Sequence, residues 1–296
     1  MSNSLPVSVV VPTIGRIALL RQCLESLAAC EPRAAEILVV DQSRGSEVGR
    51  TLAAFESAGA RLVPCSDLGV SPGTNLGIHE AAHEVVCVTH DDCTVDPAWI
   101  GTAWKLMDGD ADQILTGRVL PVGDPEGVPS TRDDPEPIDY TGLDDYGALW
   151  PNDMVLGRSA FLAFGEFDKR CEPAEDLDFC FRWLRAGNRL RYEPELVVWH
   201  HDWRNHEELV KLYISYWRGQ GKFYAKHIRA GELVFFRFTV RDLYHAGRAV
   251  GARVLRGRRR WSDRRRGVLR GLLPGLVEGL VTFKHEAAGS RTESRR

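Results

Sequence analysis

Residues Val7–Arg16 read VSVVVPTIGR. The first five are apolar but for Ser8 and rich in valine, which suits a buried strand because β-branched side chains pack well on a pleated surface. Pro12 closes the run, and Thr13–Arg16 forms a polar loop ahead of a helical pattern from Ile17 to Ala29, with Leu20, Leu24 and Leu27 on one face. The same alternation recurs downstream. Ile37–Val40 (ILVV) is a second strand ending at Asp41, and Val48–Ala58 is helical. Arg61–Pro64 is a short third strand, Asn75–Ala82 a helix, and Val85–Thr89 (VVCVT) a fourth strand that runs into His90-Asp91-Asp92. Pro97–Met107 starts a helix with proline in its first turn.

Near-continuous apolar strands alternating with helices predict an α/β architecture, a Rossmann-like, mostly parallel sheet flanked by helices and joined by right-handed crossovers. Such sheets bind ligands at the carboxyl ends of their strands. That rule selects Pro12–Arg16, Asp41–Arg44 and His90–Asp92, all of them polar loops.

The chain has 296 residues, 44% hydrophobic and 27% charged. This is the balance of a globular protein long enough to bury its core without staples, which excludes collagen-like, disordered and disulfide-framework classes. The net charge of −3 conceals an asymmetry. From Arg237 to Arg296 there are 16 basic and 5 acidic residues, whereas the preceding 236 residues carry a net −14. An acidic body can hold cations, and a basic tail can meet phosphate or lipid headgroups. Seven scattered cysteines without a CxxC pair imply reduced thiols, a cytoplasmic setting and no zinc site built from several thiolates. No secretory leader is read at the N-terminus, and no apolar stretch reaches about 18 residues, so no spanning helix is expected.

In the second half, Gly123–Asp145 is rich in Pro, Gly and Asp and is expected to be a long surface loop. Arg158–Phe164 is a short helix, Leu177–Ala186 a helix with Gly187 as its cap, and Leu190–Trp199 a strand interrupted by Pro194. Glu207–Ile228 is a long aromatic helix, followed by Arg-rich stretches at Arg256–Arg260 and Arg264–Arg266 interleaved with apolar residues.

Three constellations carry chemistry. Asp91-Asp92 closes a buried strand, and two adjacent carboxylates repel unless a cation lies beside them. Mg²⁺ or Mn²⁺, shared with the phosphates of a nucleotide, meets that need. A helix-capping role is the alternative, but Asp96 before Pro97 already offers one. Glu175-Asp176-Leu177-Asp178 places three carboxylates at a helix start, more than capping needs, so one could act as a general base on an acceptor hydroxyl. Trp199-His200-His201 ends an apolar strand, where a histidine is either a metal ligand or a surface residue. GxxxxGK[ST], GxGxxG after the first strand, GxSxG and HExxH are all missing, which disfavours P-loop, dinucleotide-binding, α/β-hydrolase and zincin schemes.

The ordered segments VSVVVPTIGR, ILVVDQS, VTHDDCTVDPAW, AEDLDFCFRWLRAGNRLRYEP and VVWHH resemble the inverting family 2 glycosyltransferases of GT-A fold, over roughly Val7 to His201. Asn152–Asp168 also resembles the segment that precedes that family's catalytic carboxylate. The resemblance implies that Pro12, Thr13 and Arg16 line the nucleoside pocket, that Asp41 bonds the base, and that Asp91 lies near ribose or diphosphate. It implies Asp92 and His200 as metal ligands and Asp176 as catalytic base, with Glu175, Trp150 and Asn152 on the acceptor side. His90 stands where the family commonly has a first aspartate, and Thr74-Asn75 where it has Arg-Asn.

These readings converge on a metal-dependent inverting glycosyltransferase that moves a sugar from a nucleoside diphosphate donor to a hydroxyl of a glycan or lipid-linked acceptor, as in cell-wall or polysaccharide biosynthesis. A nucleotidyltransferase making a sugar nucleotide and a non-catalytic sugar-nucleotide or glycan-binding protein are the alternatives. The expected organisation is a catalytic domain over residues 1–205, with its donor half at about 1–120 and its acceptor half at about 121–205. A helical, basic, amphipathic C-terminal extension follows over 206–296. That extension either docks peripherally on an anionic cytoplasmic membrane surface or packs as a helical appendage; nucleic acid is not an expected partner.

Overall fold

The computed structural model describes residues 4–107, 110, 112–125, 127–256 and 267–284. Most of the two Arg-rich stretches, residues 257–260 and 264–266, lies outside the described residues. The chain forms two compact units, one of Met1–Lys169 with Phe179–Trp203, the other of Arg170–Asp178 with Arg204–Arg296.

The first unit begins with β1 (Ser4–Thr13), α1 (Ile17–Ala28), β2 (Arg33–Asp41), α2 (Glu47–Leu52), β3 (Ala60–Pro64), α3 (Val70–Glu80) and β4 (Val85–Thr89). It continues with β5 (Cys93–Val95), α4 (Trp99–Leu106), β6 (Gln113–Val122), β7 (Ile138–Tyr140), β8 (Asp153–Gly157) and α5 (Arg158–Phe164). After α6 (Glu175–Arg185), which starts in the other unit, comes β9 (Arg189–His201). One sheet runs in the order β3-β2-β1-β4-β8-β6-β9-β5, with β7 on β9. The β3-β2-β1-β4 half is parallel, while β8, β5 and β7 run antiparallel to their neighbours.

Strand periodicity explains the two cores. Val7, Val9 and Val11 face Leu20, Leu24 and Leu27 of α1, whereas Val10, with Leu38, Val40, Val86 and Val88, faces Ile78, Phe161 and Phe179. Successive side chains of a strand point to opposite faces, so a strand buried on both sides must be apolar throughout. Each such Val or Leu contributes about 1.5–3 kcal/mol when fully buried.

Several expected boundaries shift. Helix α3 starts at Val70 rather than Asn75, because Ser-Pro-Gly enters its first turn instead of forming a loop, with Ser71, Gly73 and Thr74 buried. Helix α6 starts at Glu175 rather than Leu177. The helix expected over Val48–Ala58 is α2 followed by a 3₁₀ segment, Ala53–Ala58. Part of the expected 123–145 loop is ordered: β7 pairs with β9, and Arg132 stacks on Tyr192 with its guanidinium carbon 4.1 Å from the ring centre. Pro194 lies within β9, but the ladder with β6 slips between Gly117 and Arg118, so proline is spared a sheet hydrogen bond.

The second unit contains α7 (His206–Arg229), α8 (Val234–Arg256) and α9 (Leu273–Thr282). Asn205 caps α7 reciprocally: its Oδ1 accepts from the Glu208 amide at 3.0 Å, and the Glu208 carboxylate accepts from the Asn205 amide at 2.9 Å. Gly267, Gly271, Gly275 and Gly279 recur every four residues and face α7. A Cβ on Gly275 would overlap the carbonyl oxygen of Arg218, and one on Gly271 that of Ile214, so the two helical backbones touch. Beyond this contact, Leu273, Val277, Leu280 and Val281 of α9 are exposed, as are Phe236, Val240 and Tyr244 of α8. No helix among the described residues is long and apolar enough to cross a membrane.

Candidate active site

The site grows from the carboxyl end of β1. Thr13 pairs with Asp41 of β2 in parallel register, and one strand away β4 ends in the turn holding Asp91 and Asp92. The Thr13 hydroxyl donates to Asp91 Oδ2 at 2.5 Å and accepts from the Gly15 amide at 3.0 Å. Gly15 takes a φ of +92°, the left-handed region that a β-carbon resists, and this turns the chain so that Arg16 points back over the acidic pair. Arg16 Nε donates to Asp91 Oδ1 at 3.0 Å, Nη2 bonds the same oxygen, and Nη1 stands 3.4 Å from Asp92 Oδ2.

The other wall comes from the end of β9. Trp203 covers Arg16, its ring centre 4.6 Å from the guanidinium carbon, while its Nε1 donates to Asp92 Oδ2 at 2.8 Å. His200 Nε2 lies 3.6 Å from the same oxygen. The His201 amide donates to the Asp92 carbonyl at 2.9 Å, which fixes the acidic turn against β9.

The two aspartates are driven apart electrostatically. Burial raises the Asp91 carboxyl above its ordinary range despite the Arg16 hydrogen bonds and charge. For Asp92, burial acts in the same direction but is outweighed by His200, Arg16 and His90, so it stays ionised well below the usual carboxylate range. His201 is pushed down by burial and by the charge of His200.

A divalent cation fits these residues. His200 is 5% exposed, and neither ring nitrogen has a hydrogen-bond partner within 3.5 Å, an arrangement that needs an explanation in a buried polar group. An ionised carboxylate beside such a histidine is a common beginning for a cation site.

The remaining sequence-derived positions distribute as follows. Asp41 Oδ1 accepts from the Ser43 amide at 2.8 Å, beside the buried Pro12. Gln42, in the strand-end loop Asp41–Arg44, donates to the carbonyls of Asp67 and Gly69 at 2.6 and 2.7 Å and orders the loop before α3. Asn152 is buried just past the β4–β8 pairing, its carbonyl accepting from Thr89 at 2.9 Å and its Nδ2 without a hydrogen-bond partner. Trp150 is half-buried in the turn before it. Trp203 has no counterpart among the sequence-derived positions; its signal is an indole two residues beyond the His-His pair.

Glu175 and Asp176 belong to the second unit. The Leu177 amide donates to Asp176 Oδ1 at 2.8 Å. Burial nonetheless pushes Asp176 up to about 6. Burial, together with the charges of Asp176 and Glu172, raises the Glu175 carboxyl well above the usual carboxylate range. Asp178 is tied down by His227 Nε2 and Lys226 Nζ, each 2.9 Å from its Oδ1, so the turn carrying Asp176 is anchored on α7.

A mostly parallel sheet of this order, flanked by helices, has the GT-A fold. Residues 8–168 match the model of glycosyl transferase family 2, more than half of the chain, and the chain belongs to that family. It is 45% identical over 47 residues to the pre-mycofactocin glycosyltransferase of Mycobacterium tuberculosis, a match that spans 16% of this chain and 10% of that protein. Among solved structures, S. aureus TarS 1–349 in complex with UDP-GlcNAc superposes with a TM-score of 0.56 at 17% identity, covering 72% of this chain and 66% of that one. GalNAc-T7 with UDP, GalNAc and Mn²⁺ superposes with a TM-score of 0.55 at 14% identity, covering 75% and 50%. At these identities the structural likeness concerns the fold.

Proposed function

We propose that this glycosyltransferase moves a sugar from a nucleoside diphosphate donor to a hydroxyl of a glycan or lipid-linked acceptor in a single displacement with inversion. The observation that carries the reading is the acidic turn Asp91-Asp92, held ready by Thr13, Arg16 and Trp203 at the carboxyl end of the sheet. Pro12, Thr13, Arg16, Asp41 and Asp91 form the nucleotide side in this reading. Trp150, Asn152 and Glu175 form the acceptor side. The catalytic domain covers residues 1–205, and 206–296 is its extension.

Asp176 takes the proton of the acceptor hydroxyl as that oxygen attacks the anomeric carbon and the bond to the diphosphate breaks. A carboxyl pushed up to about 6 is a stronger base than an ordinary aspartate yet is still largely ionised at neutral pH. Glu175, its carboxyl raised by burial, stands beside it on the acceptor side. Asp92 and His200 would hold a divalent cation, Mg²⁺ or Mn²⁺, which when bound supplies positive charge to the departing diphosphate. The presence of UDP-sugar and UDP in the related structures supports a nucleotide-sugar donor.

The extension supports docking on an anionic membrane surface. Two helices of one unit leave apolar side chains uncovered, and the sequence from Arg237 onward is strongly basic.

A panel of nucleotide sugars screened by thermal shift, with and without Mn²⁺, followed by an assay for released nucleoside diphosphate, tests the reading. Stabilisation by one donor and metal-stimulated diphosphate release are expected. Pyrophosphate release instead, or binding without any release in the presence of varied acceptors, would overturn it.

A further inference from the structure

The acidic turn is followed by a cysteine, and the fold sets that cysteine opposite a histidine. Cys93 opens β5 and pairs with His200 of β9 in the antiparallel ladder. Residues directly opposite in such a ladder project from the same face with their β-carbons about 4.5–5.5 Å apart. Asp92 precedes Cys93 and lies within reach of both. The thiol donates to Asp92 Oδ1 across 3.8 Å, and His200 Nε2 stands 3.6 Å from Asp92 Oδ2. One ligand atom from each of the three residues lies within 4.8 Å of the other two. All three side chains are buried, at 2%, 1% and 5% exposure for Asp92, Cys93 and His200.

Two features separate this cluster from an incidental contact. Neither ring nitrogen of His200 has a hydrogen-bond partner within 3.5 Å although the ring is almost fully buried, and Nε2 lies 3.6 Å from the Asp92 carboxylate. Furthermore, the donor set is one oxygen, one sulfur and one nitrogen. Mg²⁺ demands oxygen ligands in octahedral geometry, whereas thiolate and imidazole together suit Zn²⁺ and its tetrahedral surrogate Co²⁺.

We propose that Cys93 is a third protein ligand at the cation position of Asp92 and His200, and that the three residues together give the site a preference for Zn²⁺-like ions over Mg²⁺. The inference rests on the reading that Asp92 and His200 hold a cation; it does not depend on which donor or acceptor is used. Binding exchanges the S–H bond of Cys93 for a sulfur–metal bond, and the thiol proton passes to solvent. Three protein ligands leave a fourth position, as at catalytic zinc sites, where a diphosphate oxygen can bind. The CxxC-type spacing that usually reveals such sites is missing because two ligands are adjacent in sequence and the third lies over a hundred residues away.

Titration of the full-length, metal-free protein with Co²⁺ alone tests this. A near-ultraviolet thiolate-to-Co²⁺ charge-transfer band is expected at one equivalent, to be quenched by Zn²⁺ and not by a large excess of Mg²⁺. Cys93→Ser should abolish the band and weaken Zn²⁺ binding, measured by competition with a chromophoric chelator, by roughly 10–100-fold, the scale on which metal sites respond to loss of a supporting group. Cys87→Ser, a buried thiol on β4, should keep the band, and circular dichroism confirms that each variant is folded. Co²⁺ binding without a thiolate band, or a band that survives Cys93→Ser, would overturn the role of Cys93 while leaving Asp92 and His200 as ligands. Failure of Co²⁺ to bind at all, even with nucleoside diphosphate present, would overturn both.

Discussion

Arg16 and Asp91 are joined through two guanidinium nitrogens on one carboxylate oxygen, with the Asp91 side chain completely buried. Residues 75 positions apart thus neutralise each other at the bottom of the candidate active site, and the same arginine reaches on to Asp92. Arg16 is therefore expected to set both the stability and the ionisation of the acidic turn. Removing one partner of a buried pair leaves an uncompensated charge, which costs about 3–5 kcal/mol. Arg16→Ala should lose stability approaching that scale in denaturant melts, and Arg16→Ala/Asp91→Asn should recover part of the loss. Additive losses in the double variant would show that the two residues do not act as a pair.

Asp176 carries the base assignment. Asp176→Asn is expected to lower turnover by about 10²–10⁴-fold, the usual worth of general-base help. Donor binding, followed by thermal shift, should change little. A variant that turns over normally would place the base elsewhere.

The same carboxyl links activity and stability to pH. Its folded pKa of about 6 lies above the ordinary aspartate value of 3.8. Ionising it is therefore harder in the folded state, so its contribution favours folding at low pH and is lost as pH rises from about 4 to about 6. kcat should climb through pH 6 and then level off, reporting the ionised base. Above pH 6, Asp176→Asn should melt higher than the wild type, by up to about 3 kcal/mol on the scale of 1.36 kcal/mol per pKa unit. A flat kcat profile between pH 5 and 7 would contradict the assignment.

In the second unit, the approach to α7 permits no β-carbon at Gly275 of α9 or at Gly271 just before that helix. Gly275→Ala should force the helices apart and cost roughly 1–3 kcal/mol as overpacking, even though alanine is the better helix former. Circular dichroism melts would register the loss; a gain in stability would mean that the backbones do not touch.

The exposed side chains Phe236, Val240, Leu273, Val277 and Val281 should partition into lipid. Co-sedimentation with anionic vesicles is expected at low salt, weakening as salt is raised because each basic residue contributes about 1 kcal/mol through a screened attraction. Val277→Ser/Val281→Ser should weaken binding while leaving donor affinity unchanged. No binding to anionic vesicles at low salt would remove the membrane reading.

Local chemistry alone made much of the first unit legible. Val7–Val11, Ile37–Val40 and Val85–Thr89 are apolar because both faces of their sheet are covered, and that pattern is visible in a linear string. Strand ends, and hence the polar loops at Thr13, Asp41 and Asp91-Asp92, follow from where the apolar runs stop. β5, β6 and β8 were not singled out: β5 is three residues long, Gly117 and Arg118 interrupt β6, and β8 follows a Pro-Asn turn that masks its start. Their pairing rewards residues far apart in the chain, which periodicity does not record.

The order of apolar and polar residues in this chain was sufficient to specify a mostly parallel sheet flanked by helices and to mark its acidic turn, because burial and strand period act on neighbours. What folding alone settled was company: that Arg16 lies on Asp91 under Trp203, that Cys93 stands opposite His200, and that the glycines of α9 meet α7. Those relations depend on strand order, register and helix approach, which arise when distant segments exclude water together. No local stretch of sequence carries that information by itself.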